Sequence, residues 1–92
     1  MCGIAGMMSY RGTEYSRIVS EMAERIRYRG PDNSGVWGDS NYGLALGHVR
    51  LSILDLSSAG HQPMESASGR YVIAFNGEIY NHLELRGQLA GL

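Results

Sequence analysis

An amphipathic repeat between residues 15 and 28 predicts a helix in the first half of the chain. Ile18, Met22 and Ile26 recur every four residues, which places their side chains on one helix face. Pro31 follows, and the residue before a proline is disfavoured in the helical region, so we expect the helix to end before it. The apolar face of this helix needs another element to pack against.

Four apolar segments predict strands, at residues 4–9, from residue 36, at 42–54 and at 71–75. We expect the last three to share one sheet, with the final segment buried within it. A second helix is predicted to start near Asn81, where Glu84 completes a capping box. Both helices are expected on one face of the sheet. These elements indicate an α+β fold with a sheet and two helices.

Two segments rich in turn-forming residues predict loops. The first, RGPDNSG, covers residues 29–35, and the second covers residues 55–69. Loops as long as the second are often functional.

Composition and charge exclude several classes of protein. With 92 residues, the chain forms one small domain or part of a larger one. Its formal net charge of −1 argues against a nucleic-acid binder. No apolar run approaches the roughly 18 residues of a membrane span, and no signal-peptide pattern is present, so we predict no membrane partner. A single cysteine forms no internal disulfide, which favours a cytoplasmic location.

Cys2 is the first candidate for chemistry. Its small side chain allows removal of Met1, after which a thiol and a free α-amine would share one residue. An α-amine has an unperturbed pKa of about 7.7–8.0, so a useful fraction is neutral and can act as a base near pH 7. The alternative is that Cys2 is a small buried apolar residue near the start of a strand.

Asn76 and Gly77 are candidates for oxyanion stabilisation, because they follow a predicted strand and could supply a side-chain amide and a backbone N–H. The alternative is a two-residue hairpin turn, for which Asn-Gly is the commonest signal. Arg50 lies in an apolar strand, and its guanidinium could bind the carboxylate of an amino acid or pair with an acidic residue of the chain. Glu78 could recognise an ammonium group or be a solvated turn residue.

The sequence predicts no metal site and no cofactor site within these residues. The three histidines, at positions 48, 61 and 82, lack the spacing of metal ligands. All eight basic residues are arginines, and no phosphate-binding loop is present.

Five motifs together carry a family resemblance: MCGIAGM, RGPDNSG, LGHVRLSILDL, GHQPM and FNGEIYNH, in this order. The chain resembles class II glutamine amidotransferases, and most closely the N-terminal glutaminase domain of glutamine-hydrolysing asparagine synthetases. The resemblance implies an αββα sandwich of the Ntn-hydrolase type with mainly antiparallel sheets, in a domain roughly twice as long as this chain. Residues 1–92 would then be its N-terminal half, without the rest of the domain and without the synthetase domain.

The resemblance also implies roles for individual residues. Cys2 matches the nucleophile, Asn76 and Gly77 the oxyanion pair, and Arg50 the residue that binds the α-carboxylate of glutamine. Glu78 matches a glutamate beside the substrate, and residues 29–32 match a segment that borders the site. The remaining matches line the glutamine pocket: Leu51, Ser52, Ile53 and Leu54.

The implied reaction releases ammonia from glutamine for the ATP-dependent amidation of aspartate, with Mg²⁺ in the synthetase domain. Relatives in surface-polysaccharide or natural-product pathways share these motifs with other acceptors, so the acceptor stays open. A second hypothesis is that the isolated 92 residues are a non-catalytic fragment or binding module. An uncovered apolar sheet face would favour a homodimer.

Overall fold

A computed structural model describes residues 2–9, 15–52 and 58–92. The elements are β1 (Gly3–Met8), α1 (Ser16–Arg25), a 3₁₀ turn (Arg27–Arg29), β2 (Asn33–Asp39), β3 (Leu44–Arg50), a second 3₁₀ turn (Ser58–Gly60), β4 (Met64–Glu65), β5 (Val72–Ile73) and α2 (His82–Leu89). The predicted α+β class with antiparallel sheets and two helices is confirmed.

The main sheet has the strand order β1-β3-β2, and both pairs are antiparallel. Central β3 pairs through His48 with Ile4 on one side and with Gly35 on the other. Residues 33–35, predicted as part of a loop, open β2. The predicted strand at 42–54 is shorter, since it ends at Arg50, and residues 53 and 54 lie outside the described part of the chain.

The predicted placement of residues 71–75 in this sheet is wrong. Val72–Ile73 pairs instead with Met64–Glu65 in a separate two-stranded sheet. Ser66 and Tyr71 close this hairpin locally, because the Ser66 N–H donates to the Tyr71 carbonyl at 2.9 Å. Nor is the segment buried as predicted, because the side chain of Ile73 is 55% exposed.

Helix α1 packs on one face of the main sheet and forms its core. Val19 is fully buried among Ala5 and Ala45, and Tyr15 and Ile26 pack at the edge of this cluster. Glycine at position 47 lets the helix approach closely. A side chain there would put its first carbon 2.9 Å from a methyl of Val19, and Ala23 lies on the same helix face at 3.4 Å.

Helix α2 differs from its prediction in two ways. Asn81 makes no side-chain capping bond, so the capping box is absent. All eight of its residues are exposed, so the expectation that it shares a sheet face with α1 is wrong. Leu83 and Leu85 are two residues apart, which places them on nearly opposite sides of a helix. The sequence of α2 therefore has no continuous apolar face.

The opposite face of the main sheet meets a second layer built from residues 58–79. Since side chains alternate along a strand, Leu46, His48 and Arg50 point away from α1. Trp37 of β2 also reaches this layer, and its indole N–H donates to the Glu65 carboxylate at 3.1 Å. His48 and Arg50 are buried between these two layers, whereas Asn76, Gly77 and Glu78 are exposed.

Candidate functional site

The Cys2 thiol lies at the end of β3. The pairing of β1 with β3 ends at Gly3 and Val49, and Cys2 precedes Gly3 while Arg50 follows Val49. The Leu51 backbone N–H donates to Cys2 Sγ at 3.4 Å, and Sγ lies 3.8 Å from the Leu51 carbonyl oxygen. Arg29 Nε donates to the Cys2 carbonyl at 3.3 Å. The half-buried thiol is therefore placed by backbone contacts rather than packed in the core.

The guanidinium of Arg50 lies against the backbone of Gly60. Arg50 is 8% exposed, although it carries a positive charge. A carbon added at Gly60 would lie 2.6 Å from Arg50 Cζ and 3.1 Å from Nη1. Only glycine leaves room for this contact, so the second 3₁₀ turn fixes the position of the guanidinium through Gly60.

The RGPD segment joins the end of β3 through backbone contacts. The Asp32 N–H donates to the Arg50 carbonyl at 3.0 Å, and the Asp32 carboxylate accepts the Ser52 N–H at 2.8 Å. A side chain at Gly30 would bring its first carbon to 2.5 Å from the Arg50 nitrogen. Predicted pocket residues Leu51 and Ser52 thus have both N–H groups bound, one to sulfur and one to a carboxylate.

Asn76 and Gly77 are exposed and follow Phe75, which is held at both of its backbone polar groups. His48 Nε2 lies 3.1 Å from the Phe75 carbonyl oxygen, and the Phe75 N–H donates to Gln62 Oε1 at 2.6 Å. The alternative hairpin turn at Asn76 is not seen, because β5 ends at Ile73 and the next regular element is α2.

Three further residues complete the predicted site. Glu78 is exposed. Ile53 and Leu54 lie outside the described residues, and so does Met1.

The GHQPM motif contributes three contacts that sequence reasoning missed. Gly60 supports Arg50, His61 Nδ1 accepts a hydrogen bond from the Asn33 amide at 2.9 Å, and Gln62 binds Phe75. A tight approach of Gly35 to His61 brings this segment onto β2. The sequence signals were the long loop that contains this segment and the match of GHQPM to the family motifs, neither of which indicates these contacts.

His48 is the second group that sequence reasoning missed, since it was considered only as a metal ligand. Its side chain is fully buried, and this burial lowers the pKa of His48 below 6.5. The hydrogen bond to the Phe75 carbonyl opposes that change, and the nearby Arg50 and His61 side chains lower the pKa by smaller amounts. The imidazole is therefore neutral near pH 7. An isolated histidine in a strand otherwise rich in apolar residues was the available signal.

Among residues 2–9, 15–52 and 58–92, no group of three or more histidine, cysteine or acidic side chains is arranged to hold a metal ion. In the same residues, no helix has the length and apolar character needed to cross a membrane.

Comparison with known families decides the identity of the chain. Residues 1–92 match a family model described as a glutamine amidotransferase domain. The chain belongs to the glutamine amidotransferases.

Curated relatives of this amidotransferase include proteins named asparagine synthetases. It is 40% identical to putative asparagine synthetase [glutamine-hydrolyzing] 2 of Methanocaldococcus jannaschii, over 94% of this chain and 20% of the relative. It is 41% identical to asparagine synthetase B [glutamine-hydrolyzing] of Escherichia coli, over 96% of this chain and 16% of the relative.

A relative with a different name is amidase chry2 of Gibberella zeae, which is 37% identical over 98% of this chain and 15% of the relative. The chain therefore spans between 15% and 20% of the length of these three proteins. No solved structure matches the amidotransferase.

Proposed function

We propose that this amidotransferase domain hydrolyses glutamine with Cys2 as the nucleophile. The observation that carries the proposal is the position of Cys2 Sγ, 3.4 Å from the backbone nitrogen of Leu51, the residue that follows the buried Arg50. A nucleophile beside a cation that can bind a carboxylate suits an amino-acid substrate.

The chemistry begins with a proton transfer within residue 2. After Met1 is removed, the α-amine takes the thiol proton, and the thiolate sulfur bonds to the side-chain carbonyl carbon of glutamine. The resulting oxyanion is stabilised by the Asn76 side-chain amide and the Gly77 N–H. The carbon–nitrogen bond then breaks, the leaving nitrogen takes the proton from the ammonium, and ammonia departs. Water attacks the glutamyl thioester and releases glutamate and the free thiol.

Arg50 binds the α-carboxylate of glutamine in this proposal. Its planar guanidinium can donate two parallel hydrogen bonds to one carboxylate, which fixes the substrate in orientation as well as in place. The close contact with Gly60 supports this role, because it holds the guanidinium in one position. Glu78 lies two residues after Asn76 and contacts the substrate in the same proposal, while residues 51–54 line the pocket.

The nucleophile is tested in the complete protein with Cys2→Ala and Cys2→Ser. We expect both variants to lose glutamine hydrolysis and covalent labelling by an electrophilic glutamine analogue. Intact-mass analysis of the wild-type protein should show the loss of Met1. If Cys2→Ala still hydrolyses glutamine, the assignment of the nucleophile is wrong.

The acceptor of the ammonia is proposed to be aspartate, activated with ATP and Mg²⁺ in a synthetase domain outside these residues. The names of the Methanocaldococcus and Escherichia relatives support this acceptor, whereas the amidase name of the Gibberella relative supports a different one. Product analysis of the complete protein with ATP, glutamine and aspartate distinguishes them. Asparagine formation supports the synthetase assignment, and glutamate without asparagine contradicts it.

The second hypothesis, a fragment that does not catalyse, concerns residues 1–92 in isolation. Exposure of Asn76, Gly77 and all of α2 favours it, because nothing among the described residues covers that side of the site. We expect the isolated chain to show little or no glutaminase activity and to associate into dimers. Turnover by a stable monomer would contradict this expectation.

A further inference from the structure

We propose that His48 is a positioning residue that fixes the oxyanion pair through the Phe75 carbonyl. The inference rests on the proposed glutaminase function and adds a residue to it. It begins from one contact, the 3.1 Å distance between His48 Nε2 and the Phe75 oxygen, which joins central β3 to the residue before Asn76.

The contact controls the orientation of the next peptide group. The Phe75 carbonyl and the Asn76 N–H belong to one planar peptide group. Holding the carbonyl oxygen therefore fixes the orientation of that group and the position of the Asn76 backbone nitrogen. The Phe75 N–H is held as well, by Gln62 Oε1 at 2.6 Å. Because β5 ends at Ile73, Phe75 is not held by strand pairing among the described residues. The side chains of His48 and Gln62 bind its backbone instead.

The protonation of His48 suits this role. A carbonyl oxygen only accepts, so Nε2 carries the hydrogen and Nδ1 does not. Burial favours the same neutral form. His48 Nδ1 is buried and has no hydrogen-bond partner among the described residues. A leucine would fill the same space without leaving a buried acceptor unpaired, so packing alone does not account for a histidine here.

The geometry can be tested by variants that keep or remove the Nε2 donor. In the complete protein, His48→Leu removes it, while His48→Gln presents an amide N–H at a similar reach. We expect His48→Leu to lower kcat for glutamine hydrolysis about 10- to 100-fold with KM changed less than about threefold, since a displaced oxyanion donor acts on the transition state. His48→Gln should restore kcat to within about fivefold of wild type.

Two readouts separate positioning from general damage to the fold. Alkylation of Cys2 by iodoacetamide forms no oxyanion, so its rate should stay within about twofold in His48→Leu. In a double-mutant cycle, His48→Leu should cost less than about threefold in an Asn76→Ala background, because the group it positions is already gone. The concentration of reactive Cys2 normalises every kcat.

Several outcomes would overturn the inference: an unchanged kcat in His48→Leu, an equal loss with and without Asn76, or a loss confined to KM. If His48→Leu does not fold, His48→Asn takes its place, because its amide is too short to reach the Phe75 oxygen. Equal kcat values for His48→Asn and His48→Gln would then refute the role. Retained turnover in Cys2→Ala would instead refute the proposed function, and this inference with it.

Discussion

Replacing Gly60 by alanine tests the contact between Gly60 and the Arg50 guanidinium. The added methyl carbon would lie 2.6 Å from Arg50 Cζ, whereas ordinary contacts begin at 3.4 Å. The guanidinium must therefore move by about 0.8 Å or more. The group that moves is the far end of a long side chain, so we expect the protein to fold and the effect to fall on substrate binding.

The size of the effect follows from hydrogen-bond geometry. A shift of this size stretches an N–H to oxygen distance from about 2.8 Å to about 3.6 Å, which is no longer a hydrogen bond. Losing one bond between charged groups costs about 1.5–3 kcal/mol. We therefore predict that KM for glutamine rises about 10- to 150-fold, while kcat changes little, because the α-carboxylate is bound equally before and during the reaction.

Steady-state glutamine hydrolysis by the complete protein measures this, with glutaminamide as a substrate that lacks the α-carboxylate. The variant should lose most of the preference for glutamine over glutaminamide. Gly87→Ala is the matched control, since nothing lies within 4 Å of a carbon added there, and its KM should equal that of wild type. A KM for Gly60→Ala within about twofold of wild type would show that Arg50 does not bind the carboxylate in this position.

Three further predictions concern stability, measured by hydrogen exchange of β3 amides in the complete protein. Gly30→Ala should lower the local free energy of unfolding by about 1–3 kcal/mol, because the new carbon meets the backbone of Val49 and Arg50 and neither can yield easily; exchange rates equal to wild type would refute this. Val19→Ala should cost about 2 kcal/mol, since it removes two buried methylene equivalents and leaves a cavity; a cost below about 0.5 kcal/mol would show that the helix recloses on the sheet. The pKa of His48 is lowered from 6.5 in the folded state, so the unfolded chain binds a proton at this residue more readily. The contribution of neutral His48 to the free energy of unfolding is therefore complete above pH 6.5 and is lost as the pH falls below 6.5. His48→Gln should flatten that part of the pH profile, and an unchanged profile would assign the dependence to another group.

The elements that the sequence predicted well are those with a local cause. Helix α1 lies within the predicted range and ends before Pro31 as expected, but the face it buries is that of Val19 and Ala23. Ile18 and Met22 of the four-residue repeat are 44% and 37% exposed. Residues 71–75 were misplaced because an apolar run does not specify its partner. Here the short connection to Met64–Glu65 closes a local hairpin, which competes with pairing to a distant strand.

The site was predicted from residue types, whereas its supports depend on contacts between distant residues. The sequence singled out Cys2 and Arg50, and antiparallel pairing of β1 with β3 brings them to the same end of the strand pair. No local pattern connects Gly60 to Arg50 or Gln62 to Phe75, since each pair is at least ten residues apart and meets only after the second layer forms. These supports could not be found without the fold.

Successive side chains of β3 point to opposite faces of the sheet. Gly47 and Val49 face the helix, while His48 and Arg50 face the site. A slip of one residue in pairing would exchange the two sets, putting a guanidinium under α1 and a valine beside Cys2. Under the proposed function, misregistered molecules would lack activity as well as stability. Glutaminase activity per mole of protein would then measure the fraction of molecules in which this strand has paired correctly.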